Sequence, residues 1–301
     1  MGINSYNNLG QNPRLQTISS LDSLRKSIRM KNTGVSVPVK DTFTKNVSGV
    51  EMQELDRLFP NGDIHRIFND IVKEYGIENP PELIIMNKKE SNDRGLFDVI
   101  QNRVILNLID IDPNARKYLL ETDELKWYSL DKHNQCLKVD SNPNDIERNL
   151  SDIQKAGLTG KAVPLTDDDK RKMIIFTLAH ELEHCVQDQT INKTEGLFSL
   201  NAVKERCYQQ RKNKNLIDWY MFTKELEQTY MEKHKYLPEK IYPINSPEGK
   251  KALEWYNSKI TYIDPIKDSD TYLNNPLEVD ANNRAAAYIK KHYGGFNIDA
   301  Q

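Results

Sequence analysis

Cysteine is scarce. The 301-residue chain has three, Cys136, Cys185 and Cys207, odd in number and far apart. This excludes a disulfide framework and a Cys-x-x-Cys metal site, and suits a reducing compartment where thiols act as small hydrophobes. No apolar run approaches the ~20 residues that span a bilayer, so no membrane span is expected. The N-terminus has no apolar h-region, so a Sec signal peptide is not expected. Net charge is only −2 although 29% of residues are charged. Without a bias of one sign, no nucleic-acid partner and no anionic-membrane partner is evident. Length allows one large domain or two small ones, and 38% hydrophobic residues suit a rather polar globular protein.

What the chain does have is Met173–Val186, which contains His180-Glu181-Leu182-Glu183-His184. Residues four apart on a helix share a face, so His180 and His184 can bind one Zn²⁺ without bending the backbone. Glu181 lies about 100° round the helix from His180. From there its carboxylate can reach a metal-activated water as general base without being a ligand. The helix is expected on separate grounds. Thr166 is a good N-cap, and Asp167, Asp168 and Asp169 suit the positive end of the dipole. No Gly or Pro interrupts Met173–Val186, and its apolar residues cover more than one face, which predicts burial. Three polar side chains on a buried helix need partners, and a metal supplies one to all three.

Residues 1–48 hold seven basic and two acidic residues among Asn, Ser, Thr and Gly, and read as a disordered basic tail. Glu51–Tyr75 reads as a helical hairpin broken at Pro60-Asn61-Gly62-Asp63, with Asp63 as cap of the second half. Leu83–Met86 reads as a buried strand. Gly95–Ile100 and Arg103–Leu108 read as a hairpin, and Trp127–Leu130 with Cys136–Val139 as a second. Asp145–Ala156 reads as a short helix and Gly157–Pro164 as a loop. Asn201–Lys235 reads as one long amphipathic helix. Pro247–Ser258 reads as a shorter helix with Ser246 as N-cap. These two helices belong to a helical insert at about 190–260 within one domain over 49–301.

A catalytic zinc takes three protein ligands and keeps one position open. Position 190, where a third His of the long metzincin motif would stand, is Thr190. Downstream, Leu277–Lys291 reads as a helix starting after Asn275-Pro276, with Glu278 in its first turn. Asp280 stands two residues on, about 200° round the helix, so the two carboxylates cannot share a face. Glu278 is the preferred third ligand and Asp280 the alternative, because Ala281, Ala285 and Ala286 let this helix approach the metal helix.

The runs GLFDVIQNRVILN and MIIFTLAHELEH, followed by Glu278-Val279-Asp280-Ala281-Asn282, resemble the ImmA/IrrE-type metallopeptidases. The resemblance implies a strand pair, then the His-Glu-x-x-His helix, then a helix supplying a glutamate ligand, the gluzincin arrangement. It covers residues 83–108, 172–188 and 276–290. The run His-Glu-Leu-Glu-His-Cys-Val-Gln is also similar to the His-Glu-x-x-His-x-x-Gln of phage-encoded and other bacterial metallopeptidases.

The expected fold is therefore α+β and zincin-like: a small, mostly antiparallel sheet packed on helices, with Val104–Leu108 as the edge strand over the cleft. The expected function is a zinc-dependent endopeptidase acting on a protein or peptide substrate, with Zn²⁺ as cofactor. The alternative is a metallopeptidase-like regulatory or binding protein whose cleft holds a partner without cleaving it. The location is cytoplasmic, or outside the cell by export through the N-terminal tail, as a delivered effector would be. Tyr262, Tyr272, Tyr288 and Tyr293 are the phenols available to stabilise an oxyanion, and the sequence does not choose among them.

Overall fold

A computed structural model describes residues 44–45, 49–86, 94–108, 116–121, 126–130, 135–138, 148–210, 216–234, 238–262, 271–272 and 274–296. The expected tail, with the short helix that Leu21, Leu24 and Ile28 would allow, lies outside these residues except for Thr44–Lys45.

The chain begins with strand β1 (Thr44–Lys45), helix α1 (Gly49–Leu58), a 3-10 turn (Pro60–Gly62) and helix α2 (Asp63–Tyr75). The expected break at Pro60–Asp63 is present. Its cap is different: Gly62 takes the N-cap position in a left-handed conformation, φ 73°. Asp63 instead binds Arg66 and Arg171, the latter on the helix that carries His180 and His184. Glycine suits that backbone because it has no Cβ to clash.

Strands β2 (Glu82–Met86), β3 (Gly95–Asp98) and β4 (Arg103–Asn107) complete a four-stranded sheet of order β1-β2-β4-β3. β1 and β4 both run parallel to β2, and only β3 is antiparallel, to β4. The expectation of one mostly antiparallel sheet is thus corrected here. The expected edge strand is corrected too. Val104–Leu108 begins in β4, which is paired on both sides, and the edge is β3. The reason is visible in β4 itself: Val104, Ile105 and Leu106 are all buried. A continuous apolar run marks a strand covered on both faces, which an edge strand rarely is. The β3–β4 hairpin forms as expected, closed by Asn102 at φ 47°.

A second sheet is fully antiparallel, of order β8-β7-β6-β5-β9. It comprises β5 (Arg116–Leu120), β6 (Lys126–Leu130), β7 (Gln135–Lys138), β8 (Arg148–Asn149) and β9 (Gly160–Pro164). The hairpin at 127–139 is its β6–β7 pair. The expected loop at Gly157–Pro164 is instead strand β9 from Gly160 onward. Helix α3 (Leu150–Lys155) is the short helix expected over 145–156, and 145–147 lie outside the described residues.

β9 leads into helix α4 (Asp167–Lys193), which carries the histidines. Thr166 and Asp169 form a reciprocal capping box: the Thr166 side chain accepts from Asp169 N–H, and the Asp169 carboxylate accepts from Thr166 N–H. The same carboxylate pairs at 2.9 Å with Lys117 of β5, both groups being buried, which ties the second sheet to the start of α4. Helices α5 (Ser199–Gln209), α6 (Leu216–Lys233) and α7 (Pro247–Ile260) form the helical insert, and α8 (Pro276–Tyr293) follows it. The expected single helix over Asn201–Lys235 is two, α5 and α6. Ser246 caps α7 as expected. Gly249 is required there, because a Cβ would stand 2.1 Å from the Pro243 carbonyl oxygen.

One core joins the site-bearing elements. Ile67, Phe68 and Ile71 of α2, Leu83 and Ile85 of β2, and Val104 and Leu106 of β4 pack with Ile175, Leu178 and Leu182 of α4 and Ala285 of α8. The fold is α+β. No helix among the described residues is long and apolar enough to cross a membrane.

Candidate metal centre

α4 is buried on nearly all sides, so its polar groups must be satisfied inside the protein. His180 and His184 project from one face with their rings at 89° and their Nε2 atoms 3.1 Å apart. The third group comes from α8. Asn275 caps that helix through the Leu277 N–H, and Pro276 occupies the first turn. The carboxylate of Glu278 then stands 3.3 Å from His180 Nε2 and 3.5 Å from His184 Nε2. Ala281 and Ala285 are fully buried on α8 and allow the close approach. His180, His184 and Glu278 thus form a compact group that could hold a metal ion. Asp280 is not part of it: its carboxylate accepts from Trp255 Nε1 and pairs with Lys251 Nζ, both at 2.7 Å. Arg284 pairs with Glu183, not with Asp280.

The outer nitrogens of the two rings decide their chemistry. Gln187 donates its amide nitrogen to the Leu277 carbonyl, which can only accept, at 2.9 Å. Its amide oxygen therefore faces His184 Nδ1, also at 2.9 Å, and that nitrogen must carry a hydrogen. His180 Nδ1 faces the Asn282 amide oxygen at 2.9 Å. With both Nδ1 atoms donating, a neutral imidazole leaves Nε2 as a bare acceptor. Two such nitrogens and a carboxylate then face one another within 3.5 Å. Three mutually facing acceptors require a cation, either a proton or a metal. Burial alone would depress the His184 pKa, but the Glu278 carboxylate raises it to about 9. Burial pushes Glu278 the other way, upward, and the two imidazoles overcome this and hold it well below the usual carboxylate range.

Glu181 stands beside the group without belonging to it. Its Oε2 accepts the N–H of Phe97 on edge strand β3 at 2.7 Å. The close approach needs Gly95, where a Cβ would lie 2.6 Å from Thr177 Cγ2 and 2.7 Å from Glu181 Cγ. Burial raises the Glu181 pKa, opposed by the charges of His180 and His184.

Of the four phenols, two are near. Tyr272 donates to Glu278 Oε2 at 2.9 Å, and Tyr262 packs edge-on against Tyr272. Tyr288 and Tyr293 pack with each other and with His292 instead. Sequence reasoning assigned no role to Gln187, Asn282 or the Phe97 amide. Gln187 is three residues past His184 and Asn282 four past Glu278, so helical spacing was a usable signal for both. A backbone amide from another strand leaves no such trace. No family model matches the sequence, no curated protein matches it, and no solved structure matches the fold.

Proposed function

We propose that the protein is a zinc-dependent endopeptidase of zincin-like fold, acting on a protein or peptide substrate. His180, His184 and Glu278 would hold the ion and Glu181 would be the general base. The observation that carries this is the set of three facing acceptors, 3.1 to 3.5 Å apart. Ligand atoms about 2.0–2.1 Å from a tetrahedral Zn²⁺ stand about 3.3 Å from one another, close to the 3.1 Å between the two Nε2 atoms and the 3.3 Å from Glu278 Oε2 to His180 Nε2. Two imidazoles and a carboxylate suit zinc, and three protein ligands are the number of a catalytic site, whereas structural sites close with four. When bound, the ion would acidify a water and polarise a carbonyl.

The remaining work falls to the chain's own groups. Glu181 Oε2 is held by Phe97 N–H, leaving Oε1 to take a proton and return it to the leaving amine. Gln187 and Asn282 keep both rings in the tautomer whose inner nitrogens can ligate. A substrate laid in extended form along β3, an edge of its sheet among the described residues, would pass beside Glu181. Leu96, 53% exposed on that strand, offers it an apolar contact.

Elemental analysis of the purified full chain tests the reading. About one zinc per chain is expected, the ligand count of a single catalytic site, with almost none in His184→Ala. Full zinc occupancy in His184→Ala, or a different metal in the wild type, would sink it.

A further inference from the structure

The Phe97–Glu181 contact is only as firm as strand β3, and β3 is short. It has four residues and, among the described residues, one neighbouring strand, β4. Its far end is closed locally: the Asp98 carboxylate accepts the N–H groups of Ile100 and Gln101 and pairs with Arg103. One further contact comes from a distant part of the chain. The Val99 carbonyl accepts from His234 Nε2 at 2.7 Å, across 135 residues of sequence. A carbonyl cannot donate, so Nε2 of His234 carries the hydrogen.

His234 is itself fixed. It follows directly on α6, and its N–H closes on the Tyr230 carbonyl at 2.8 Å. The imidazole stacks on the Tyr230 ring at 3.8 Å and 13°, and the residue is 6% exposed. The fully buried Tyr230 accepts from Asn192 at 2.7 Å and donates to Asp188 at 3.4 Å. Both partners lie on α4, the second and first turns beyond His184. A continuous path of polar contacts and stacking thus runs from the end of α4 through Tyr230 and His234 to the β3–β4 turn. It then returns through Phe97 N–H to Glu181 on the same helix.

We infer that His234 is a positioning residue for Glu181, bracing edge strand β3 from the helical insert so that Phe97 N–H holds the carboxylate in place. This rests on the reading of Glu181 as general base. The insert then bears on the site: His234, directly after α6, sets where the base stands. Displacement of a catalytic group by an ångström is enough to cost about a hundredfold in rate, so a brace two residues from the contact matters.

The test follows the Phe97 amide directly. The sequence has eight phenylalanines, so [¹⁵N]Phe labelling of the full chain resolves that amide by NMR. His234→Leu keeps an apolar group against Tyr230 but cannot donate. It should speed hydrogen exchange at Phe97 by about tenfold, the weight of one lost hydrogen bond. His234→Gln, which restores a donor, should return exchange toward the wild-type rate. Glu181→Ala should speed it comparably, and adding His234→Leu to Glu181→Ala should change little more, because both act on one contact. Unchanged exchange in His234→Leu overturns the inference, as does full additivity in the double variant. On labelled casein, His234→Leu should lower kcat by about tenfold or more with KM and zinc content unchanged. Lowered zinc or a raised KM at wild-type kcat would contradict a positioning role. Absence of casein hydrolysis by the wild type would count against the peptidase reading alone, since the exchange rates decide the His234 contact without it.

Discussion

Gln187 links α4 and α8 through a single side chain: it accepts from His184 on α4 and donates to the Leu277 carbonyl on α8, each at 2.9 Å. The amide therefore fixes a tautomer and a helix spacing together. Gln187→Leu removes both bonds and leaves a buried carbonyl and a buried ring N–H unpaired. Zinc affinity, read by competition with a chelator, should fall about ten- to hundredfold. Affinity equal to wild type would mean that His184 is oriented by something else.

Glu278 and Asp280 separate cleanly by substitution. Glu278→Ala should abolish stoichiometric zinc binding. Asp280→Asn should retain the metal, because Asp280 serves Trp255 and Lys251 on α7. A loss of zinc in Asp280→Asn with retention in Glu278→Ala would reverse the assignment.

The acceptor cluster makes the metal-free protein sensitive to pH. His184 has a folded pKa raised from 6.5 to about 9. It contributes stability that is full below the ordinary imidazole value and lost as pH rises through about 9. Glu278 is lowered, so its contribution is present above the ordinary carboxylate value and lost on acidification. The Tm of metal-stripped protein should therefore be highest between roughly pH 4.5 and 6.5 and fall toward pH 9. Zinc loading replaces the His184 proton, so at pH 7 uptake should release about one proton and the alkaline fall should vanish. Calorimetry in buffers of different ionisation enthalpy measures the proton, and a release near zero would contradict the cluster's protonation.

Gly95→Ala tests the approach of β3 to α4. The new methyl would press on Thr177 and Glu181 at less than contact distance. A cost of about 1–3 kcal/mol is expected from such overpacking, read as a lower denaturation midpoint, with activity falling further as Glu181 is pushed aside. Wild-type stability and activity in Gly95→Ala would show that the strand is free to move.

Much of this site was readable from local pattern. His180, Glu181 and His184 share one helix, so spacing alone relates them, and Thr166 with Asp169 announces where that helix begins. Glu278 follows from a capped helix rich in alanine. Strand β5 was missed because Arg-Lys-Tyr-Leu-Leu does not alternate. Lys117 is buried there and pairs with Asp169, far along the chain. β9 has the sequence pattern of a loop because it starts at Gly160 and ends at Pro164. It lies at the edge of its sheet, where proline is tolerated. The order of strands around β4 depends on which faces other elements cover, and neighbours in sequence do not report that. The same holds for the contacts of Phe97 and His234, which join residues more than eighty positions apart.

The proposed peptide hydrolysis needs both a bound zinc and the Glu181 carboxylate. The most direct measurement is the rate of labelled-casein hydrolysis per bound zinc, wild type beside Glu181→Gln. Gln is nearly isosteric and can still accept from Phe97 N–H, so fold and metal content should be unchanged. It cannot take a proton at neutral pH, and the rate should drop by about 10² to 10⁴. Equal rates in the two proteins, at equal zinc content, would contradict the account.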